Sequence, residues 1–351
     1  MITLNSRLGI RLSQLDGNHP VLGERDVSAY LVTHNERLRL PFVLDHHRKL
    51  GIRHFFFVDD KSDDGTREYL IEESLKGDVS VFLSDSTYKE ARGGLEWIEA
   101  LMDKFADGKW TLKLDADEIF VYSDCDDVSI QGVIDFLVSN KYEGMLSYLL
   151  DLYPAGPISD AKCVEGEPFW DVAKYFDDEI RVFKRLPLFT RTSPSVMITG
   201  GVRTRLFYPD IHPVTKFKLA MARIGRLLSR HIQLARHFIR SDVPPILEKV
   251  PLRIWRSGVS RYLSAHQTDR IAVSPLYSAL LHFKYLNDFH KKVDDAVRRK
   301  QYFNEASEYF KYQAMILENP MWEMMTATSI EYTGVNQLVD RGLIRKGGWS
   351  R

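Results

Sequence analysis

The sequence predicts an α/β protein with a mostly parallel central sheet flanked by helices. Three observations carry this expectation. Between residues 26 and 150, short apolar runs rich in β-branched and aromatic residues alternate with stretches of helical spacing. Glycines and polar turn residues separate them. Polar clusters follow Val32, Val58 and Leu114, each at the end of an apolar run. Alternating strands and helices build parallel βαβ units, and such sheets bind ligands beyond the carboxyl ends of their strands.

Asp26–Val32 is the first expected strand, followed by Thr33-His34-Asn35-Glu36. A helix is expected from Leu40 to Leu50, stopped by Gly51. His54–Val58 is the second strand, Asp59–Thr66 a polar loop, and Thr66–Leu75 a helix. Val79–Leu83 is the third strand and Gly94–Phe105 a helix. The apolar run from Trp110 ends in Asp115-Ala116-Asp117; Ile130–Val138 reads helical and Glu143–Leu150 as a strand. Leu152–Glu179, rich in Pro, Gly and acids, is expected to loop over the sheet edge. Helices are expected again over His290–Leu317, and the tail beyond Gly334 is free to fray. The division that follows is an N-terminal extension (1–25), a sheet domain (26–290) with a basic insertion (209–242), and a C-terminal helical segment and tail (291–351).

The chain of 351 residues is 44% hydrophobic, ample for a packed core. Lys+Arg and Asp+Glu balance at 48 each, which gives no reason to expect nucleic-acid binding. Cys125 and Cys163 form neither a disulfide framework nor a zinc spacing and suit a reducing cytosol. Met1–Pro20 lacks the long apolar core of a secretory signal, and no stretch approaches the roughly 20 apolar residues of a membrane span. The expectation is a cytoplasmic protein that is soluble or peripheral on the inner membrane face.

Asp115 and Asp117 share a face if strand geometry persists past Leu114. Hard oxygen ligands so spaced suit Mg²⁺ or Mn²⁺ holding substrate phosphates; the competing reading is a polar turn. Glu118 is either a supporting partner or solvated. Asp63 and Asp64 read as caps for the next helix. His282 and Lys284 are another i, i+2 pair: a neutral imidazole to complete a metal shell and an ammonium for a phosphate, against an ordinary surface histidine. Arg203 and Arg205 share a face if extended and would grip diphosphate oxygens; otherwise they are a solvated strand face. Residues 216–240 carry seven Lys or Arg and no acid, with apolar residues at near-helical spacing. Such a helix either lies on anionic lipid or packs on the domain.

Val32-Thr33-His34-Asn35-Glu36, Val58-Asp59-Asp60-Lys61-Ser62-Asp63-Asp64-Gly65-Thr66 and Leu114-Asp115-Ala116-Asp117 together resemble nucleotide-sugar glycosyltransferases of the GT-A fold. The likeness is to the family 2-like bacterial group with Asn-Glu, Ser-x-Asp-Gly-Thr and Asp-x-Asp motifs. It continues in Leu149–Pro154, Gly200–Phe207 and Leu280–Leu286, and covers about residues 26 to 315. The resemblance implies that Thr33, Asn35 and Glu36 lie under the nucleotide and that Asp59 or Asp60 accepts hydrogen bonds from base or ribose. It implies that Asp115 and Asp117 hold a Mn²⁺ or Mg²⁺ and, through it, the diphosphate of a nucleotide-sugar, a UDP-sugar first among them. It implies an inverting transfer to a glycan or lipid-linked hydroxyl in bacterial surface glycan assembly: lipopolysaccharide, capsule or exopolysaccharide. Such a transfer needs a carboxylate for the acceptor proton; Asp151 is the first candidate and Asp177 the second, either of which also suits a loop cap. Residues 209–242 and the stretch before Asp26 depart from the family pattern.

Two other classes compete. A haloacid-dehalogenase-type phosphotransfer enzyme also places Asp-x-Asp after a strand, but after its first one and with Thr or Val where this chain has Ile119. A non-catalytic glycan- or membrane-binding protein gives no reason for so many carboxylates at one sheet edge.

Overall fold

The computed structural model describes residues 2–185, 192–209, 244–301 and 303–349. In chain order the first half forms β1 (Thr3–Asn5), β2 (Arg11–Gly17), β3 (Val27–Thr33), α1 (Leu40–Leu50), β4 (His54–Asp59), α2 (Thr66–Ser74), β5 (Val79–Ser84), α3 (Leu95–Phe105), β6 (Trp110–Asp115), β7 (Glu118–Tyr122), α4 (Ile130–Ser139) and β8 (Gly144–Asp151). Later come β9 (Tyr175–Phe176), β10 (Ile180–Lys184), β11 (Thr192–Ser193), β12 (Val196–Gly200), α5 (Gly201–Phe207), β13 (Glu248–Ile254), β14 (Tyr262–Ser264), β15 (Gln267–Asp269), β16 (Val273–Leu276) and β17 (Ser278–His282). There follow α6 (Phe289–Arg299), α7 (Phe303–Glu318), β18 (Ile330–Glu331) and α8 (Val335–Asp340).

The main sheet runs β1-β2-β5-β4-β3-β6-β13-β8-β17-β7, with β16 beside β8. Its heart, β5-β4-β3-β6, is parallel throughout, and β8 and β17 are parallel as well. Every residue of β4 is buried, as expected of a parallel strand covered on both faces. Alternate side chains feed two cores. Ala29, Leu31, Phe55 and Phe57 join one apolar cluster, while Tyr30, Phe56, Val58 and Phe82 join the other. Across the second face the Tyr30 and Phe56 rings stack at 4.9 Å.

The stretch before Asp26, which the family resemblance does not reach, adds β2 antiparallel to β5 at the sheet edge and β1 antiparallel to β2 outside it. β13 returns from a hundred residues downstream to lie antiparallel between β6 and β8. Only Ala116 and Asp117 separate β6 from β7, yet β7 pairs with β17 at the opposite end of that series. The turn therefore runs past the start of β13 and the ends of β8 and β17. A third apolar cluster, including Tyr153, Tyr285, Phe289, Val293 and Tyr312, seats α6 and α7 on this end of the sheet.

The tie between the halves is Arg39, a fully buried guanidinium at the entry to α1. It donates to both oxygens of Asp288, at 2.5 and 2.8 Å, just ahead of α6. Such a fork is strong because both bonds are charge-assisted, and removing one partner strands the other charge in the interior. Arg39→Met is expected to cost about 3 kcal/mol of unfolding free energy. Arg11→Met, whose partner Asp85 is exposed, is expected to cost close to nothing; urea denaturation of the two variants checks both.

Candidate active site

A cleft of about 2090 Å³ opens at the C-terminal ends of the parallel strands. Its lining includes Glu36 after β3, Asp60 after β4, Asp115 and Asp117 after β6, and His282 at the end of β17. One wall is the face of α6. The volume exceeds the 300–1,000 Å³ of ordinary small-molecule pockets.

The floor is a chain of paired charges along the Ala116–Asp117 turn. Lys249, the second residue of β13, donates to Asp115 Oδ2 at 2.8 Å and to Glu118 Oε1. Glu118 Oε2 accepts the Asp115 backbone N–H at 3.1 Å, fixing the corner. Burial disfavours the charge on Asp115, but Lys249 and Lys113 outweigh it and hold this carboxyl well below its usual range. Glu118 is more deeply enclosed: burial pushes it up to about 7 despite Lys249.

Asp117 faces His282, with Nε2 3.2 Å from Oδ2. The other ring nitrogen, Nδ1, is 2.5 Å from Asp151 Oδ1, and Arg203 Nε donates to Asp151 Oδ2 at 2.8 Å. Burial lowers the imidazole's proton affinity, yet the two flanking carboxylates reverse this and hold it up at about 9. At neutral pH the ring is therefore an imidazolium donating from both nitrogens. Asp117 is held well below its ordinary value because His282 overcomes its burial; Asp151 is held down likewise by Arg203 and His282. Arg203 also approaches Glu308 at 3.5 Å, and its Nη2 is buried without a hydrogen-bond partner.

The rim is a second set of pairs, made by α6. Lys292 Nζ lies 2.5 Å from Glu36 Oε1, His34 Nε2 lies 3.0 Å from Asp295 Oδ2, and Arg299 donates to Asp60. Burial raises Glu36 above its ordinary value against the pull of Lys292 and Arg39.

Of the nucleotide-site candidates, Asn35, Glu36, Asp60, Arg203 and Lys284 line the cleft, while Thr33, Asp59 and Arg205 do not. Asp59 turns away and takes Arg67 at 2.7 Å, joining its strand to α2. Thr33 is buried beneath the site, its carbonyl accepting the Asp60 N–H at 2.8 Å. Asn35, in the left-handed region at φ 57°, exchanges side-chain hydrogen bonds with Asp63, and Asp64 Oδ1 accepts the Thr66 N–H at the head of α2. Lys284 lies 3.6 Å from Glu308 and over the Tyr309 and Tyr312 rings.

The expected i, i+2 strand pair of Arg203 and Arg205 is corrected by the structure. Both lie in α5, where residues two apart point to different sides. Gly200 permits the abrupt change: its φ is 131°, and a Cβ there would lie 2.1 Å from the Glu179 carbonyl oxygen. Arg203 consequently enters the floor, whereas Arg205 meets Asp177 at 2.7 Å and the Met324 carbonyl at 2.8 Å. Asp177 also accepts from the Tyr153 hydroxyl and is absent from the cleft lining. Asp151, the first candidate for the base, has both oxygens engaged and is also absent from that lining.

The sequence reading missed Lys249, Arg39, Lys292, Arg299 and Glu308. The signal for the first was slight: Glu248 and Lys249 open a short strand, Glu248–Ile254, that also carries Arg253, and all three charged residues are buried. The expected metal ligands Asp115, Asp117 and His282 are neighbours, but they do not form a metal cradle. Among the described residues no group of three or more His, Cys, Asp or Glu side chains is arranged to hold a metal ion. Asp115 points at an ammonium and Asp117 at an imidazolium, so a divalent ion does not fit this arrangement as it stands. Residues 216–240, the expected membrane contact, lie outside the described residues. Among the described residues no helix is long and apolar enough to cross a membrane.

No protein-family model matches the chain, and no curated protein does. Solved structures are similar over part of it. The S. aureus TarS 1-349 structure matches 40% of this chain and 45% of its own, at 14% identity and a TM-score of 0.28. The same TarS fragment in complex with UDP matches 36% of this chain and 35% of its own, at 17% identity and a TM-score of 0.28. A protein described as a candidate glucose-1-phosphate thymidylyltransferase from Bacillus anthracis, in complex with a sucrose, matches 40% of this chain and 65% of its own. Its identity is 13% and its TM-score 0.26. The match thus spans less than half the length of these TarS chains.

The His282 imidazolium carries a signed pH dependence. Its proton affinity is raised in the folded state, so its contribution is complete below the ordinary histidine value of 6.5 and is lost as pH rises through about 9. The displacement corresponds to a contribution on the order of 3 kcal/mol. Urea unfolding at a series of pH values from 6 to 10 should show wild type losing more stability across that window than His282→Gln.

Proposed function

We propose that this chain is a glycosyltransferase that moves a sugar from a nucleoside-diphosphate donor to a hydroxyl acceptor. The observation that supports it most is the convergence of Glu36, Asp60, Asp115 and Asp117, from three separate strand ends, on one cleft. The chemistry of each part suits the donor. A ribose diol offers two O–H donors, which suit the Asp60 carboxylate at the mouth of β4. Asn35 and Glu36 edge the same corner. The diphosphate leaving group gains negative charge as the sugar departs, and preorganised cations lower that barrier. His282, clamped as an imidazolium between Asp117 and Asp151, is one such group; Lys284 and Arg203 are others at the same end of the cleft. Asp151 is thereby a positioning residue for His282.

A Mn²⁺ or Mg²⁺ at Asp115 and Asp117 would supply Lewis-acid neutralisation of the diphosphate, but it enters this corner only by displacing Lys249. The acceptor class, a bacterial surface glycan or its lipid-linked precursor made at the cytoplasmic membrane face, rests on the sequence resemblance alone. The haloacid-dehalogenase alternative is weakened by geometry: the Asp115 carboxylate, which would be its nucleophile, is tied to Lys249.

UDP is the first probe, being the nucleotide in one TarS complex. Calorimetry should show UDP or another nucleoside diphosphate binding the wild-type protein. Glu36→Gln and Asp60→Asn should each weaken that binding by about tenfold, about 1.4 kcal/mol, with unchanged circular dichroism. NMR of reaction mixtures with several sugar nucleotides identifies donor and product. A protein that binds no nucleoside diphosphate at millimolar concentration refutes the reading.

A further inference from the structure

The family expectation of a divalent cation meets a corner that already holds a positive charge, and Lys249 is built into it rather than resting on it. It occupies a central strand, β13, with β6 and β8 hydrogen-bonded on either side. Its side chain is 6% exposed, and its stem is flanked by sheet. Its ammonium sits between Asp115 Oδ2 and Glu118 Oε1, while Glu118 Oε2 is locked to the backbone N–H of Asp115. A mobile surface lysine would have to pay rotamer entropy to reach such a position; a strand residue with a buried stem is already there.

The charge count points the same way. Along the turn Asp115 faces Lys249, Asp117 faces His282, and Asp151 faces Arg203 and His282. A dication seeks carboxylate oxygens free of other cations, whereas Asp115 and Glu118 both hold the Lys249 ammonium. Positive charge for an anionic ligand is present in the chain itself. An ammonium has three N–H donors and no acceptor. Two are spent on Asp115 and Glu118, and Lys249 lines the cleft, so the third is left for a phosphate oxygen. Arg203 brings a second donor from the far end of the turn, since its Nη2 is buried, unpartnered and on a residue that lines the same cleft.

We propose that Lys249 is the resident cation of this site, and that the chain binds the diphosphate of its nucleotide ligand without a divalent metal, through the Lys249 ammonium and Arg203 Nη2. The proposal rests on the nucleotide-sugar reading above and specifies how that site recognises its ligand. Asp115 then serves to hold the ammonium in place, and the Asp-x-Asp spacing is retained with its first member turned to a lysine. Lys249→Met, which keeps an unbranched side chain one atom shorter and removes its charge, should release Asp115 and Glu118 to a metal.

Electron paramagnetic resonance of Mn²⁺ alone tests the site without any nucleotide. Wild type is expected to leave the six-line signal of free Mn²⁺ undiminished, Lys249→Met to take up one Mn²⁺ per chain, and Lys249→Met combined with Asp115→Asn to take up none. Calorimetry with UDP supplies the second readout. Wild type should bind UDP equally in EDTA and in Mn²⁺; Lys249→Met should bind it about tenfold more weakly in EDTA and recover in Mn²⁺, and Lys249→Arg should stay insensitive to EDTA. Uptake of Mn²⁺ by wild type that Asp115→Asn abolishes, or wild-type UDP binding that is lost in EDTA, overturns the proposal; neither result needs a variant of Lys249 to fold. UDP binding in neither condition strikes the glycosyltransferase reading and this proposal with it, whereas binding only with Mn²⁺ strikes this proposal alone.

Discussion

Every carboxylate that the fold brings to the cleft floor is answered by a cation from a distant part of the chain, and that pairing constrains most of what surrounds it. Lys249, Glu118 and Asp151 are enclosed, and taking such a charge out of water costs several kcal/mol that only a well-placed partner offsets. Asp115 and Asp117 come from the turn after β6; their partners Lys249 and His282 come from β13 and β17. Those two strands must therefore lie beside β6 and β8 with their charged ends at the same edge, which is where the ladders put them. The antiparallel entry of β13 follows the same logic: its start, not its end, carries the lysine, so only a reversed strand presents it at the carboxyl edge of a parallel sheet.

The rim uses the same kind of contact. Glu36–Lys292, His34–Asp295 and Asp60–Arg299 join α6 to the strand ends, and their side chains are only 4% to 25% exposed, so these contacts too are largely enclosed. The enclosed Arg39–Asp288 fork anchors the helix N-terminus, and the apolar seat of Phe289 and Val293 holds its inner face.

The first half of the sheet was legible because its signals were local. β4 and α1 begin and end within a residue of their expected limits, since His54–Val58 is a continuous apolar run and Gly51, at φ 96°, is a left-handed stop that glycine adopts readily. The acidic motifs were legible for a similar reason: strands in a parallel sheet all finish at one edge, so clusters after Val32, Val58 and Leu114 had to meet. Of Asp59 and Asp60 only the second faces the cleft, a choice fixed by Arg67 reaching back from α2, which no local pattern announces. Pairing partners were the least legible. Lys249 lies 134 residues from Asp115, and nothing in a one-dimensional reading tells which two strands will become neighbours. The arginine pair failed on periodicity: Gly200-Gly201 before an alternating pattern reads as extended chain, whereas the Gly200 backbone instead opens a short helix that sends Arg203 inward and Arg205 toward Asp177.

Among the described residues, Thr33 Oγ1 and Arg203 Nη2 are buried at this edge without a hydrogen-bond partner, and they differ in what they can do. Thr33 Oγ1 is buried at the end of β3 and Arg203 Nη2 at the far end of the floor. An unmade hydrogen bond in the interior costs about 1–3 kcal/mol, more for a charged group, so neither is neutral for stability. Thr33 lies below the site, outside its lining, and its hydroxyl has no route to a ligand in the cleft. Arg203 lines the cleft, with Nε spent on Asp151 and Nη1 turned toward Glu308. Its guanidinium is thus held in one orientation by two carboxylates while a third donor is unspent. A donor fixed by its neighbours loses little entropy when an anion arrives, and the unmade bond that destabilises the free protein becomes a gain on binding. The floor in this way sets each of its carboxylates against a cation while N–H donors of both Lys249 and Arg203 stay uncommitted.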